Sequence, residues 1–177
     1  ARTQRALMAF QESRGLVPDG VAGSQTHRAL MPFYLGYAAH TVRRGDTFYR
    51  LAMAYGSTIR AIETANPGLS PLSLEVGSMV VVPFNFPVVP MNVAFGSTAV
   101  RYAVLGLAAR YPFLNVGEIG TSVMGKPIYR LNAGSGENRI LYNGSHHANE
   151  WITTPLLLKF VEDLARARAY GGSVYDI

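Results

Sequence analysis

The run Gly144-Ser145-His146-His147-Ala148-Asn149-Glu150-Trp151 sets an imidazole and a carboxylate three residues apart, close enough for both to reach one divalent cation. A hydrolytic zinc takes three protein ligands and leaves a fourth position for water, so His147 and Glu150 would make two and a third must come from elsewhere. The other histidines are His27, His40 and His146, all upstream of the pair, and no His or Cys follows Glu150. With no cysteine anywhere, thiolate ligands and disulfide staples are both excluded, which leaves His and carboxylate as the metal-binding chemistry.

Positioning such a pair requires a rigid approach. Arg139-Ile140-Leu141-Tyr142-Asn143 is apolar enough for a central strand, and Gly144-Ser145 turns the chain at its carboxyl end. In open α/β sheets sites assemble in the crevice outside the carboxyl ends of strands. Two further strands are expected upstream, Val116 to Val123 and Ile128 to Ala133, joined by the Met124-Gly125-Lys126-Pro127 turn. A helix capped by Ser97, with Val100, Val104, Leu107, Ala108 and Tyr111 inward, precedes them and ends at Pro112. A last helix opens at Thr154-Pro155, with Thr at the cap, and buries Leu156, Leu157, Phe160, Val161 and Leu164. Glu162 and Asp163 then fall on its solvated side, poor candidates for a general base. Taken alone, His-x-x-Glu is more often a solvated polar turn than a metal site.

The composition is that of a folding chain: 177 residues, 49% hydrophobic and only 15% charged. The net charge of +5 spreads as +2, +1 and +2 over residues 1–39, 40–84 and 85–177, so no segment forms the basic patch that nucleic acid binding concentrates. An anionic polymer such as a bacterial wall suits this diffuse excess equally well. Every apolar run is broken by Arg, Gly or Pro, which argues against a membrane-spanning helix.

Residues 1–35 read as a helix bearing Ala6, Leu7 and Phe10, a stop at Gly15, a Pro-Asp-Gly turn, and a second helix capped by Ser24 and ended by Pro32. The pattern AxxxFQ, RGL, DGVAG and QTxxAL resembles the latter part of the peptidoglycan-binding module of cell-wall hydrolases, which implies a first helix before Ala1. Residues 40–84 read as strand, helix, helix, strand: a strand from His40 to Arg43, a helix from Thr47 to Tyr55 capped by Asp46, a second helix with Ile59 and Ile62, then Met79 to Val82 ending at Pro83. This order, with VxxGDTF, LAxxYG, ANPGL and VGSxVVVP, resembles the LysM domain. That resemblance implies binding of N-acetylglucosamine-containing glycans between two loops, with Gly45, Asp46, Thr47 and Phe48 on one and Asn66, Pro67, Gly68, Leu69 and Leu72 on the other. From the residues alone, Gly45, Asp46, Asn66 and Pro67 also read as turn and cap formers, and for Asp46 that is the stronger reading. A Pro- and Val-rich linker, residues 85–94, favours extended backbone.

The third region, residues 95–177, carries NGSHHANEWITTP preceded by RYP and GxSVxGKPI, and resembles the amino-terminal part of the zinc metallocarboxypeptidase family. The resemblance implies that His147 and Glu150 are the first two ligands of Zn2+, with a third ligand and a general base supplied from downstream, so no catalytic residue is carried over here. Asn149 stands where the digestive branch has an arginine that meets substrate. Asn cannot grip a carboxylate in a charged, bidentate way, so Asn149 is a candidate substrate contact of altered specificity. His146 is a candidate neighbour of the site, and Trp151 is expected to pack beneath the motif.

The expected fold class is therefore multidomain: a partial helical peptidoglycan-binding module, a βααβ LysM module, and the first part of an α/β mixed-sheet zinc carboxypeptidase domain. Together with the wall-binding modules, the resemblance points to γ-D-glutamyl-diamino acid endopeptidases, which cut peptidoglycan stem peptides. The expected protein is secreted and associated with cell wall or spore. The chain itself is expected to be a piece of a longer precursor, inactive alone and aggregation-prone at unpaired strand edges. A non-enzymatic wall-anchoring protein is the competing reading.

Overall fold

The structure, a computed structural model, describes residues 2–172. The chain folds in the order α1 (Arg2–Ser13), α2 (Ser24–Leu35), β1 (Tyr37–Thr41), α3 (Phe48–Tyr55), α4 (Ile59–Ala65), β2 (Met79–Pro83), α5 (Ser97–Arg110), β3 (Asn115–Thr121), β4 (Pro127–Asn132) and α6 (Thr153–Tyr170).

In the first module the helix break falls at Gly15, whose φ of 65° suits a residue without Cβ. The loop between α1 and α2 is pinned by Gln11, a buried polar side chain whose Nε2 donates to Asp19 Oδ1 at 2.7 Å, Val21 O at 3.0 Å and Thr26 Oγ1 at 3.1 Å. Two expectations shift here. Gly23 rather than Ser24 occupies the N-cap, without a side-chain bond, and α2 runs past Pro32 until Gly36 turns left-handed at φ 73° and donates to Pro32 O.

The second module is built around an antiparallel pair, β1 with β2, in the register Ala39 to Val81 and Thr41 to Met79. Val42, Phe48, Leu51, Ala52, Ile62, Val80 and Val82 form its core. Helix α3 is capped by Thr47, whose side chain accepts from Arg50 N, and not by Asp46. Thr58 caps α4 in the same way through Ala61 N, and Gly56 ends α3 at φ 62°.

In the third region α5 and α6 pack on a second core that includes Val104, Leu107, Tyr111, Leu158 and two linker residues, Val88 and Val89. Here the expected mixed sheet is replaced by a two-stranded antiparallel pair, β3 with β4, carrying a bulge between Glu118 and Gly120. The strand expected at residues 139–143 does not form. Strand conformation needs a neighbour to take its backbone groups, and among the described residues β3 and β4 pair only with each other. Ile140 and Leu141 stay 78% and 92% exposed.

Two helix readings change with burial. Gly96 takes the N-cap of α5, with Ser97 as its first residue. The buried positions of α6 are Pro155, Leu158, Glu162 and Ala165, so Leu156 is exposed and the expected stripe lies out of phase. Glu162, expected in solvent, is fully buried because its carboxylate accepts from the linker amides of Val88 and Val89. Among the described residues no helix is long and apolar enough to cross a membrane.

Candidate functional site

The loop from residue 144 to 152 begins with a close approach. A Cβ on Gly144 would lie 3.2 Å from Leu157 Cδ1 and 3.3 Å from Thr153 O, which leaves little space for any residue but glycine. Ser145 follows at φ 56°, the one non-glycine in the left-handed region among the described residues. Two hydrogen bonds of its own and one relayed through Thr153 hold the loop there. The Ser145 amide donates to Thr153 Oγ1 at 2.6 Å, its hydroxyl pairs with Thr154 Oγ1 at 2.7 Å, and Thr153 Oγ1 donates onward to Glu150 O at 2.8 Å. Thr153 and Thr154 are thus spent on the loop, and α6 begins at Thr153 with no side-chain cap.

This lock sets the pair. His147 Nδ1 lies 2.9 Å from Glu150 Oε1, and His147 N donates to Glu150 Oε2 at 3.4 Å. The His147 hydrogen bonds hold the Glu150 carboxyl below its ordinary pKa, with a smaller favourable contribution from the charge of His146. Both side chains are open to solvent, at 70% and 45% exposure, so their mutual attraction is screened and the loop rather than the ion pair fixes the geometry. A tetrahedral zinc with ligand bonds near 2.0–2.1 Å holds its donor atoms about 3.3 Å apart, so admitting an ion needs the pair to part by only about 0.4 Å. Among the described residues no group of three His, Cys, Asp or Glu side chains comes together to hold a metal. An imidazole and a carboxylate at this distance are donor types that fit zinc.

His146 stacks edge-on against His147, with ring centres 4.9 Å apart, and its Nδ1 lies 3.2 Å from Asn143 Nδ2. Asn149 is exposed. Trp151, expected to pack, is 56% exposed.

In the second module the antiparallel register brings the loop after β1 and the loop before β2 to the same end of the strand pair. The turn 43–46 is braced from three sides. His40 Nε2 lies 2.8 Å from Asp46 Oδ2, which also accepts from Arg43 N at 2.7 Å, and Arg50 Nη1 donates to Gly45 O at 3.0 Å. The other His40 nitrogen meets Tyr55 Oη at 3.0 Å. These bonds hold the Asp46 carboxyl below its usual pKa, the hydrogen bond from His40 first and that from Arg43 N second.

Two residues expected to face glycan are turned inward. Phe48 is 2% exposed and belongs to the core. Asn66 is 8% exposed, and its amide is used up by Ile62 O at 2.6 Å, Val81 O at 2.7 Å and Val81 N at 2.9 Å. The side chains open to a ligand on these loops include Leu69, at 37% exposure, and Leu72, at 96%. Gly45 and Gly68, at φ 89° and 94°, bring bare backbone to the surface.

Sequence reasoning missed the brace formed by Ser145, Thr153 and Thr154. Its available signal was hydroxyl residues on both sides of the pair, following a glycine. It also missed His40, which an isolated histidine at the start of a strand does not advertise.

Three family models match the chain in succession. Residues 1–30 match the peptidoglycan binding domain, residues 40–83 the LysM domain, and residues 102–172 the zinc carboxypeptidase family. Each part of the chain is thus similar to a different family: a peptidoglycan-binding domain, a LysM domain and part of the zinc carboxypeptidase family.

Among individual proteins, gamma-D-glutamyl-L-diamino acid endopeptidase 1 of Lysinibacillus sphaericus is 49% identical over 57 residues, covering 32% of this chain and 14% of that protein. Uncharacterized protein YqgT of Bacillus subtilis is 42% identical over 72 residues, covering 39% and 19%. The secreted LysM effector ELP2 of Colletotrichum higginsianum is 38% identical over 74 residues, covering 38% and 42%. The chain thus spans less than half the length of each of these relatives. No solved structure matches it.

Proposed function

We propose that this chain serves a secreted, wall-targeted zinc peptidase that hydrolyses peptidoglycan stem peptides at the bond between γ-D-glutamate and a diamino acid. The single observation that carries this reading is the convergence of His147 and Glu150 at 2.9 Å, on the same chain as two wall-binding modules. The likeness to a named γ-D-glutamyl endopeptidase supports the choice of bond.

In this reading His147 and Glu150 hold Zn2+. A metal held there would supply Lewis-acid chemistry, a polarised scissile carbonyl and a more acidic bound water. Ser145, Thr153 and Thr154 keep the ligand loop in register, and Asn149 lies where it contacts the stem peptide without the charged grip an arginine would give. The glycan strand lies across the turns at Gly45, Asp46 and Thr47 and at Pro67, Gly68, Leu69 and Leu72. Backbone groups there pair with acetamido groups, and the two leucines supply apolar contact.

Zinc content of the purified gene product, with His147→Ala beside it, tests the metal half. Zinc retained equally by both proteins would refute the ligand assignment. Sedimentation with insoluble peptidoglycan or chitin tests the glycan half, and a protein that stays in the supernatant ends it. The competing reading, an anchoring protein without catalysis, draws its support from the likeness to a secreted LysM effector. An anchoring protein sediments with the wall, cleaves no stem peptide, and loses no zinc on His147→Ala.

A further inference from the structure

Residues 85–94 have the composition of a tether, rich in proline and without helix or strand. The middle of the segment nonetheless sits in a core, while its ends are exposed. Val88 and Val89 are 4% and 1% exposed, and they pack with Leu107, Tyr111 and Leu158 from the third region. Their amides point at Glu162, which is 0% exposed. Val88 N donates to Oε1 at 2.6 Å and Val89 N to Oε2 at 3.3 Å, with Lys159 Nζ 3.8 Å from Oε2. On the other side Arg110, 5% exposed, donates from Nη1 to Phe86 O at 2.7 Å.

We propose that Glu162 and Arg110 clasp this strap and weld the LysM module and the third region into one rigid body, so that the glycan-facing turns stand at a fixed span from the His147 loop. A buried carboxylate stripped of its amide donors is costly, so the strap cannot peel from α6 in small steps. Other contacts brace α5 and α6 against the rest of the chain, two from the end of α2, which runs through Gly36 into β1, and one from α4 of the LysM module. Gly106 on α5 lets Leu35 O rest against the helix, where a Cβ would lie only 2.3 Å from that oxygen. Tyr34 and Tyr102 stack with ring centres 5.5 Å apart, and Arg60 Nε on α4 donates to Ala169 O at the end of α6 at 2.9 Å. The inference rests on the proposed function only for its consequence. A rigid body confines cleavage to peptides at a set reach from the bound glycan, and a tether would let the site roam.

The test uses the cysteine-free background, in which paired spin labels at Met53→Cys and Val123→Cys, both exposed positions in separate modules, are the only thiols. Pulsed dipolar spectroscopy of the chain should give one narrow distance distribution. Glu162→Leu removes both acceptors, and Gly106→Ala, whose methyl would lie 2.7 Å from Val88 Cγ1 of the strap as well as against Leu35 O, pushes the strap off α5 while favouring that helix itself, so the two variants loosen the strap by separate routes. Each should lose the single narrow distance while the circular dichroism of the helices persists. Should Glu162→Leu fail to fold, Gly106→Ala alone carries the test. A broad distribution in the parent chain, or a Gly106→Ala distribution as narrow as the parent's, overturns the proposal. Neither result bears on zinc or glycan binding, so this failure is distinct from failure of the function proposed above.

Discussion

The second module and the 139–152 segment handle polar groups and apolar side chains in opposite ways. In the first, turn and core support each other: Asn66 sits buried with both amide ends satisfied, and Phe48 begins α3 from inside the core. In the second, a strained serine and two threonines hold an open loop, while Ile140, Leu141 and Trp151 stand in solvent. On the proposed reading, binding by backbone turns would ask only that a small core stay shut. Metal chemistry would ask for exposed donors, and the exposed His147 and Glu150 are placed by local hydrogen bonds rather than burial.

Substitutions of rising mildness sharpen this contrast. Phe48→Ala should cost about 3–5 kcal/mol in denaturant unfolding of the second module, as core aromatic truncations do. A loss under about 1 kcal/mol would mean that Phe48 does not sit in the module's core. Asn66→Ala strands Val81 N and two carbonyls and should cost about 2–3 kcal/mol by the same measurement. Thr47→Ala removes the α3 cap and should cost about 1 kcal/mol.

The Asp46 carboxyl, held below its ordinary pKa, contributes stability that is complete above the unfolded-state value and fades as pH falls through the lower folded one. Thermal melts of the parent chain and of Asp46→Asn should therefore converge in acid and separate towards neutrality. Parallel melts across that range would remove the brace from the account. In the open segment, Leu141→Ser should change stability by less than about 0.5 kcal/mol, because Leu141 is already 92% exposed. A larger loss would place a partner on that edge.

The parts legible from sequence were those written in local chemistry. Gly45-Asp46, Asn66-Pro67-Gly68 and the helix stop at Gly15 mark turns by residue type, and the strand-helix-helix-strand order of the second module follows from the turns within it. Misread features depended on distant partners. Phe48 and Asn66 lie on the expected glycan loops but turn inward, a fact decided by Ile62 and Val81 rather than by their neighbours in sequence. Glu162 fell on the polar face of a helical wheel, because a wheel carries no information about linker amides 73 and 74 residues upstream. Residues 139–143 have strand composition without a strand, since a β conformation is settled by the chain alongside. The spacing of His147 and Glu150 was visible; the hydroxyl brace that aims them was not.

Tryptophan occurs once in the 177 residues, next to Glu150, and its indole is 56% exposed. Light absorbed at the red edge of the ultraviolet band therefore samples that neighbourhood alone, with emission shifted towards that of hydrated indole. Titrating a divalent cation should move or dim this signal if the ligand loop tightens. Melting of the second module, which holds no indole, will pass unseen in the same channel and must be followed through its helices.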